Sequence, residues 1–229
     1  MGRVIVFPDV SEADDDGLLA VGGDLQTDTI KSAYEKGIFP WPISLDFPLA
    51  WFSPDPRGIL EVAAFHMPSS FKKWMKKTSY RVSFSENFEA VIYHCARVTR
   101  KGQAGTWITP DITTGYTSLF YEGHAYSVEV WDDQTLIGGL YGVCFGGYVS
   151  GESMFSLKTN ASKLALVSLI ELLKKNRLQF LDTQMVTPVV ELFGGRYIPR
   201  EDFLDRLKGV DWKAKREKIF SYKKVSSAD

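Results

Sequence analysis

Three polar side chains stand where the surrounding sequence is apolar: Glu152 in Gly151-Glu152-Ser153, and Asp182 and Gln184 directly after Phe180-Leu181. Burying an acid at a strand end is costly unless it is paired or neutralised. Such acids are therefore either members of structural ion pairs or functional groups, and spacing alone leaves both open. Other signatures of catalysis fail. His66, His94 and His124 are scattered, with no H-E-x-x-H or other paired spacing for a metal. Gly151-Glu152-Ser153-Met154-Phe155 begins like a nucleophile elbow, but Phe155 stands where the second glycine of G-x-S-x-G is needed, which leaves Ser153 a weak nucleophile. Neither G-x-G-x-x-G nor a P-loop is present, so no nucleotide cofactor is expected. Cys95 and Cys144 lie in apolar surroundings without a C-x-x-C motif and read as structural thiols, so neither a zinc site nor a disulfide framework is expected.

The elements that must position these residues are legible from periodicity. Tyr126 to Trp131 alternates polar and apolar, Asp132-Asp133-Gln134 turns the chain, and Leu136 to Tyr148 continues as a glycine-punctuated strand, which predicts an antiparallel hairpin. Residues 160–175 place Leu164, Val167 and Ile170 with Leu166, Leu169 and Leu173 at helical spacing, and Phe180-Leu181-Asp182 reads as a short buried strand. Upstream, helices are predicted at 69–77, 85–96 and 109–122, the last with Thr109 as cap, Pro110 in the first turn and Gly123 as terminator. Residues 1–56 are rich in turn signals and hold one secure helix, Thr29 to Lys36, closed by Gly37. This predicts an α+β protein with a small amino-terminal domain over 1–56 and a larger domain over 57–229.

At 229 residues the chain is about one and a half times the usual ~150 residues per domain. Its 45% apolar and 24% charged residues, with 31 Phe, Tyr or Trp, place it among folded globular proteins and exclude wholesale disorder. The longest nearly apolar run, Leu164 to Leu173, is interrupted by Ser168 and Glu171 and covers about half a membrane span. Met1-Gly2-Arg3 leads directly into strand-like sequence without an apolar leader, and a cytoplasmic protein is expected. The net charge of −1 argues against a polybasic coat, but the charge is segregated. Residues 1–60 carry a net −6, residues 71–101 a net +6 and residues 208–229 a net +4. Lys72, Lys73, Lys76 and Lys77 flank Trp74, and Arg97, Arg100 and Lys101 follow; these form either a phosphate-contacting patch or a solvated helix face.

Longer strings narrow the reading. Gly17-Leu18-Leu19-Ala20-Val21-Gly22-Gly23-Asp24-Leu25, Tyr34-Glu35-Lys36-Gly37-Ile38-Phe39-Pro40-Trp41 and Trp51-Phe52-Ser53-Pro54-Asp55-Pro56-Arg57 resemble the amino-terminal half of the leucyl/phenylalanyl-tRNA–protein transferases. Gly105-Thr106-Trp107-Ile108-Thr109, Gly138-Gly139-Leu140-Tyr141-Gly142-Val143, Gly151-Glu152-Ser153-Met154-Phe155-Ser156, Asn160-Ala161-Ser162-Lys163 and Ile198-Pro199-Arg200 resemble later blocks of that family in the same order, so the resemblance covers about residues 17–203. It implies a second domain of N-acetyltransferase-like (GNAT/Fem-type) fold with a mixed, largely antiparallel sheet. It implies transfer of Leu or Phe, and sometimes Met, from aminoacyl-tRNA to the α-amine of proteins beginning with Lys or Arg. The product would be a destabilising amino terminus read by the bacterial N-degron pathway.

Carried over by position, the resemblance assigns Trp41 and Trp107 to the 3′-terminal adenosine, and Glu152, Asp182 and Gln184 to the active site. Attack of an amine on an activated ester needs positioning and proton removal rather than ATP or a covalent intermediate. The expected arrangement has the Gln184 carbonyl orienting the amine while Asp182, two residues away and thus on the same strand face, holds Gln184. Glu152 is expected to bind the terminal ribose or the incoming cationic amino terminus. Positions matching the family's aminoacyl pocket are Leu140, Val149, Phe155, Leu166, Leu169 and Leu181. Relatives can carry Met or Phe where this chain has Leu140, Val149 and Leu169, and Val189 and Thr183 stand where the family usually has His and Cys. The basic patch would then meet the acceptor stem through its phosphates. Two rivals stand beside this reading. An acyl-CoA-dependent N-acetyltransferase needs a pyrophosphate loop, and no such loop is found. A non-catalytic binder of tRNA or amino termini would keep the tryptophans and lose turnover.

Overall fold

The computed structural model describes residues 5–43, 47–98 and 106–220. The turn-rich start forms β1 (Leu18–Val21), α1 (Thr27–Glu35), β2 (Phe39–Pro40) and β3 (Ala50–Phe52), and the strands pair antiparallel in the order β1-β3-β2. Trp51 anchors this small sheet: it is buried and donates from its indole nitrogen to the Gly22 carbonyl at 2.9 Å. The boundary expected at Pro56 falls just before β4 (Arg57–Glu61). The apolar core runs across it, for Ile30, Tyr34, Phe39 and Trp51 pack in one cluster with Tyr141, Tyr148 and Phe203.

The middle of the chain supplies α2 (Ser69–Met75), β5 (Arg81–Phe84), α3 (Phe88–Cys95) and α4 (Pro110–Tyr121). The α4 signals act as expected: the Thr109 hydroxyl accepts from the Ile112 N–H at 3.2 Å, Pro110 takes the first turn, and Ile112, Tyr116 and Leu119 form the buried stripe. The hairpin of β6 (Ala125–Asp132) and β7 (Thr135–Phe145) closes through Asp133 and Gln134. The strand expected to run on to Tyr148 instead turns at Gly146-Gly147 and returns as β8 (Tyr148–Val149), because two adjacent glycines make reversal cheap there. Then come β9 (Ser153–Ser156), α5 (Ala161–Lys175), β10 (Phe180–Gln184), α6 (Pro188–Leu192), β11 (Arg196–Ile198), α7 (Arg200–Leu207) and α8 (Glu217–Phe220).

The class is α+β, and every strand ladder among the described residues is antiparallel. Where the resemblance implies one mixed, largely antiparallel sheet, the strands after Pro56 form two. One runs β5-β6-β7-β8 with β9 also on β7, and the other runs β10-β4-β11. With one side of β7 paired to β6 and the other to β8 and β9, β10 has no long edge there and pairs with β4 instead. The two sheets touch through one parallel bridge, Ser150 to Asp182, where the Gly151 N–H donates to the Asp182 carbonyl at 2.8 Å. Gly142 permits the crossing, since a Cβ there would lie 1.8 Å from the Ser150 carbonyl oxygen. Among the described residues no helix is long and apolar enough to cross a membrane.

Candidate active site

Beyond the Ser150–Asp182 bridge the two chain segments part, one joining β7 as β9 and the other remaining on β4 as β10. A cavity of about 340 Å³ occupies the gap, at the lower end of the ~300–1,000 Å³ typical of ligand sites. Leu140, Met154, Leu166, Leu181 and Val190 make its apolar wall, Glu152, Thr183 and Gln184 its polar side, and Trp41 and Trp107 complete the lining. A wider groove of about 880 Å³ lies between the starts of α1 and α4, lined in part by Asp24, Asp28, Asp111 and Glu122. It holds none of the candidate catalytic, adenosine-binding, aminoacyl-pocket or phosphate-contacting residues named from the sequence. The smaller cavity is the candidate site because apolar surface and convergent polar groups meet there.

Glu152 is the charged group of this cavity. Its Oε1 accepts from the Ser150 hydroxyl at 2.5 Å and from Gln184 Nε2 at 3.0 Å, and its Oε2 accepts from the Tyr116 hydroxyl at 3.4 Å. The Tyr116 hydroxyl in turn lies 2.6 Å from that of Tyr34 in α1. Burial pushes the Glu152 pKa from 4.5 to about 7, against the lowering effect of its hydrogen bonds, that from the Ser150 hydroxyl foremost. Burial also drives the Tyr34 and Tyr116 hydroxyls well above their ordinary range, with the nearby Glu152 charge adding to it, so both remain protonated donors.

Asp182 is arranged differently from the sequence expectation. It is fully buried and does not line the cavity. Its Oδ1 accepts from Arg57 Nε at 3.0 Å and from the Gln184 backbone N–H at 2.9 Å, while its Oδ2 accepts from Arg57 Nη2 at 2.7 Å and from the Tyr148 hydroxyl at 2.5 Å. The expected same-face alternation fails because β10 bulges: Asp182 pairs with Ile59 and Gln184 with the adjacent Gly58, leaving Thr183 as the extra residue. Gln184 takes the left-handed conformation, φ 56°. Asp182 thus holds the backbone of Gln184, and Glu152 holds its side chain. Gly58 is required opposite the bulge, where a Cβ would approach the Met185 backbone to 2.5 Å.

Trp41 and Trp107 come together from separate segments, with ring centroids 6.5 Å apart and planes inclined by 58°. They are not parallel jaws, and a planar ligand can lie flat on one while meeting the other at an angle. Of the six pocket positions, Leu140, Leu166 and Leu181 line the cavity. Val149, Phe155 and Leu169 do not; they are buried behind it, Phe155 stacked on His94 with centroids 4.8 Å apart. Val189 lines the cavity, and so does Ser153, which sits on a strand paired with Tyr141 rather than at a strained turn. In α2, Phe71 is buried while Lys72 and Lys73, with Lys76 just beyond, are exposed. Arg97 is exposed too, its guanidinium 3.6 Å from the Tyr93 ring centroid. None of these cations lines the cavity, and Arg100 and Lys101 lie outside the described residues.

Sequence reasoning missed Arg57, Tyr34, Tyr116 and Met154 as parts of the site. For Arg57 a signal existed: an acid in a buried strand requires a cationic or hydrogen-bonding partner somewhere in the chain. Nothing in local spacing says which one.

Comparison with known proteins identifies the family of the chain. Residues 59–208 match the family described as leucyl/phenylalanyl-tRNA protein transferase, and residues 23–55 match its N-terminal domain. The solved structure of L-PGS from Bacillus licheniformis is similar over 58% of this chain and 46% of its own, at 10% identity and a TM-score of 0.42, too distant to carry the fold further. Two curated relatives named leucyl/phenylalanyl-tRNA–protein transferase are each 48% identical. That of Syntrophus aciditrophicus (strain SB) aligns over 203 residues, 89% of this chain and 84% of the relative. That of Pseudoalteromonas atlantica (strain T6c) aligns over 210 residues, 91% and 89% respectively. On the strength of these matches the chain belongs to the leucyl/phenylalanyl-tRNA–protein transferase family.

Proposed function

We propose that this chain transfers Leu or Phe, and Met where the pocket admits it, from aminoacyl-tRNA to the α-amine of proteins beginning with Lys or Arg, marking them for degradation by an N-degron pathway. The observation that carries the reading is one lipophilic cavity with an indole pair on its lining and the Glu152–Gln184 pair on its polar side. The apolar wall suits amino-acid side chains that offer only shape and apolar area. The indoles suit the terminal adenosine, since stacking is indifferent to base identity. Residues 1–56 contribute Phe39, Pro40 and Trp41 to the lining, and the 57–229 portion, read as an N-acetyltransferase-like domain, contributes the rest.

The reaction forms an amide N–C bond and breaks the ester C–O bond. The acceptor arrives largely as an ammonium, with an ordinary α-amino pKa of about 7.7–8.0. A carboxylate whose pKa is near 7 is matched to take that proton, which makes Glu152 the proton acceptor in this proposal. Of the two roles expected for Glu152, the terminal ribose or the incoming amino terminus, the proposal takes the second. Gln184, its nitrogen committed to Glu152, turns its carbonyl oxygen to the incoming amine. Asp182 acts on the Gln184 backbone. The second proton that the nitrogen sheds as the amide forms goes to the leaving 3′-oxygen, so the reaction releases one net proton, the one taken by Glu152.

The test is transfer of radiolabelled Leu, Phe and Met from charged tRNA to a model protein beginning with Lys or Arg, beside a Gln184→Ala control. Label transfer that collapses in the control supports the reading. Binding of charged tRNA without transfer favours the non-catalytic binder instead, with Val189 in the cavity wall as the residue to examine.

A further inference from the structure

We propose that Arg57 is a positioning residue for the transfer reaction, acting through Asp182 to hold Gln184 in its aimed, left-handed conformation; the role rests on the transferase reading above. Arg57 is 1% exposed, and each nitrogen of its guanidinium has a partner. Nε and Nη2 form a fork on Asp182 at 3.0 and 2.7 Å, and Nη1 donates to the Gly37 carbonyl at 2.9 Å. The guanidinium carbon lies 4.7 Å from the Phe39 ring centroid and 4.4 Å from that of Phe203. Burial, the largest single influence, lowers the Arg57 pKa, but the charge of Asp182, the hydrogen bonds to it and the nearby Tyr148 and Tyr34 together raise the value, so the cation persists.

The consequence runs along one line of neighbours. Asp182 is held by both oxygens, which orients Oδ1 toward the Gln184 N–H. That hydrogen bond secures a φ of 56°, a conformation residues with a Cβ seldom adopt, and this backbone presents the Gln184 amide to Glu152. Phe39, against which the guanidinium packs, lines the same cavity two residues before Trp41. One side chain therefore joins the segment that carries Trp41 to the strand that carries Gln184. A buried ion pair adds little net stability over apolar residues of the same volume, whereas a bidentate fork restricts geometry tightly. Lysine cannot reproduce that fork.

The test is a double-mutant cycle between Arg57→Lys and Gln184→Ala, read as single-turnover transfer at saturating charged tRNA, with KM for charged tRNA and the thermal midpoint measured alongside. Arg57→Lys is expected to lower the rate by about 10- to 100-fold in the wild-type background, with KM changed by less than about threefold. In the Gln184→Ala background the same substitution is expected to change the rate by less than about threefold, because its effect passes through the side chain already removed. Asp182→Asn, which keeps an acceptor for the Gln184 N–H but removes the counter-charge of the guanidinium, serves as a second cycle with the same expectation, the thermal midpoint separating its cost to the fold from its effect on the rate. Equal losses in both backgrounds, or an Arg57→Lys rate within about threefold of wild type, overturn the role of Arg57 alone. A wild-type chain that transfers nothing overturns the transferase reading and this role with it.

Discussion

Gln184 Nε2 donates to Glu152 Oε1 at 3.0 Å, joining a side chain from β10 to one from the loop before β9 across the mouth of the split between two sheets. The bond commits the amide nitrogen to the carboxylate and sets a group with a pKa of about 7 beside Gln184 on the polar side of the cavity.

Glu152→Gln should separate chemistry from stability. Transfer by the wild-type chain should rise with pH through about 7 as Glu152 ionises, and the Gln variant should lose that limb and fall by about 100-fold or more. The folded pKa lies above the ordinary value of 4.5, so the stabilisation that the protonated acid provides is complete below about 4.5 and lost as pH rises through about 7. The Gln variant does not titrate. Its advantage in unfolding free energy should be near zero at about pH 4 and on the order of 1–3 kcal/mol at about pH 8, measured by denaturant titration. An advantage that shrinks with rising pH would contradict the burial argument.

Trp41→Ala and Trp107→Ala should each weaken binding of an aminoacyl-adenosine analogue by ~1–3 kcal/mol, roughly 5- to 150-fold, with Phe restoring part of the loss. The 58° inclination of the rings predicts unequal losses, since only one indole can lie flat on the base. Calorimetric titration of the two variants decides it, and equal losses would indicate that the rings realign on binding.

The cavity lining predicts which leucines control selectivity. Leu166→Ala and Leu181→Ala should change the ratio of Leu to Phe transfer by up to ~1–3 kcal/mol, because both side chains face the cavity. Leu169→Ala should leave that ratio within about twofold while costing ~2–5 kcal/mol of stability, because Leu169 is fully buried behind the wall. Competition assays with mixed charged tRNAs, paired with denaturant unfolding, read both effects.

The exposed lysines of the α2 segment are testable through salt. Lys72→Ala, Lys73→Ala and Lys76→Ala should weaken tRNA binding without altering amino-acid preference. Removing a lysine that neutralises one phosphate should flatten the log–log salt dependence by about 0.7–0.9. A slope unchanged in the triple variant would mark these lysines as a solvated helix face.

Local features are legible in the sequence to within a few residues. Thr109, Pro110 and Gly123 bound α4 because caps and terminators act on their own few neighbours. The β6–β7 hairpin follows from alternation and a polar two-residue loop. Legibility ends where a partner lies far along the chain. The two-residue period of a strand puts Asp182 and Gln184 on one face, and the bulge opposite Gly58 breaks that period.

The sequence by itself determined the α+β class, the run of helices and strands, the family resemblance and the set of residues able to do chemistry, since each of these depends on residue type and short-range order. Only the tertiary structure decided how those residues are used. Arg57 meets Asp182 across 125 positions of sequence, Trp41 meets Trp107, and Tyr34 and Tyr116 converge behind Glu152. Val149, Phe155 and Leu169 fall behind the wall that Leu140, Leu166 and Leu181 face. Burial and ion pairing are properties of what surrounds a side chain in space, and for these residues the surroundings come from segments that short-range periodicity does not connect.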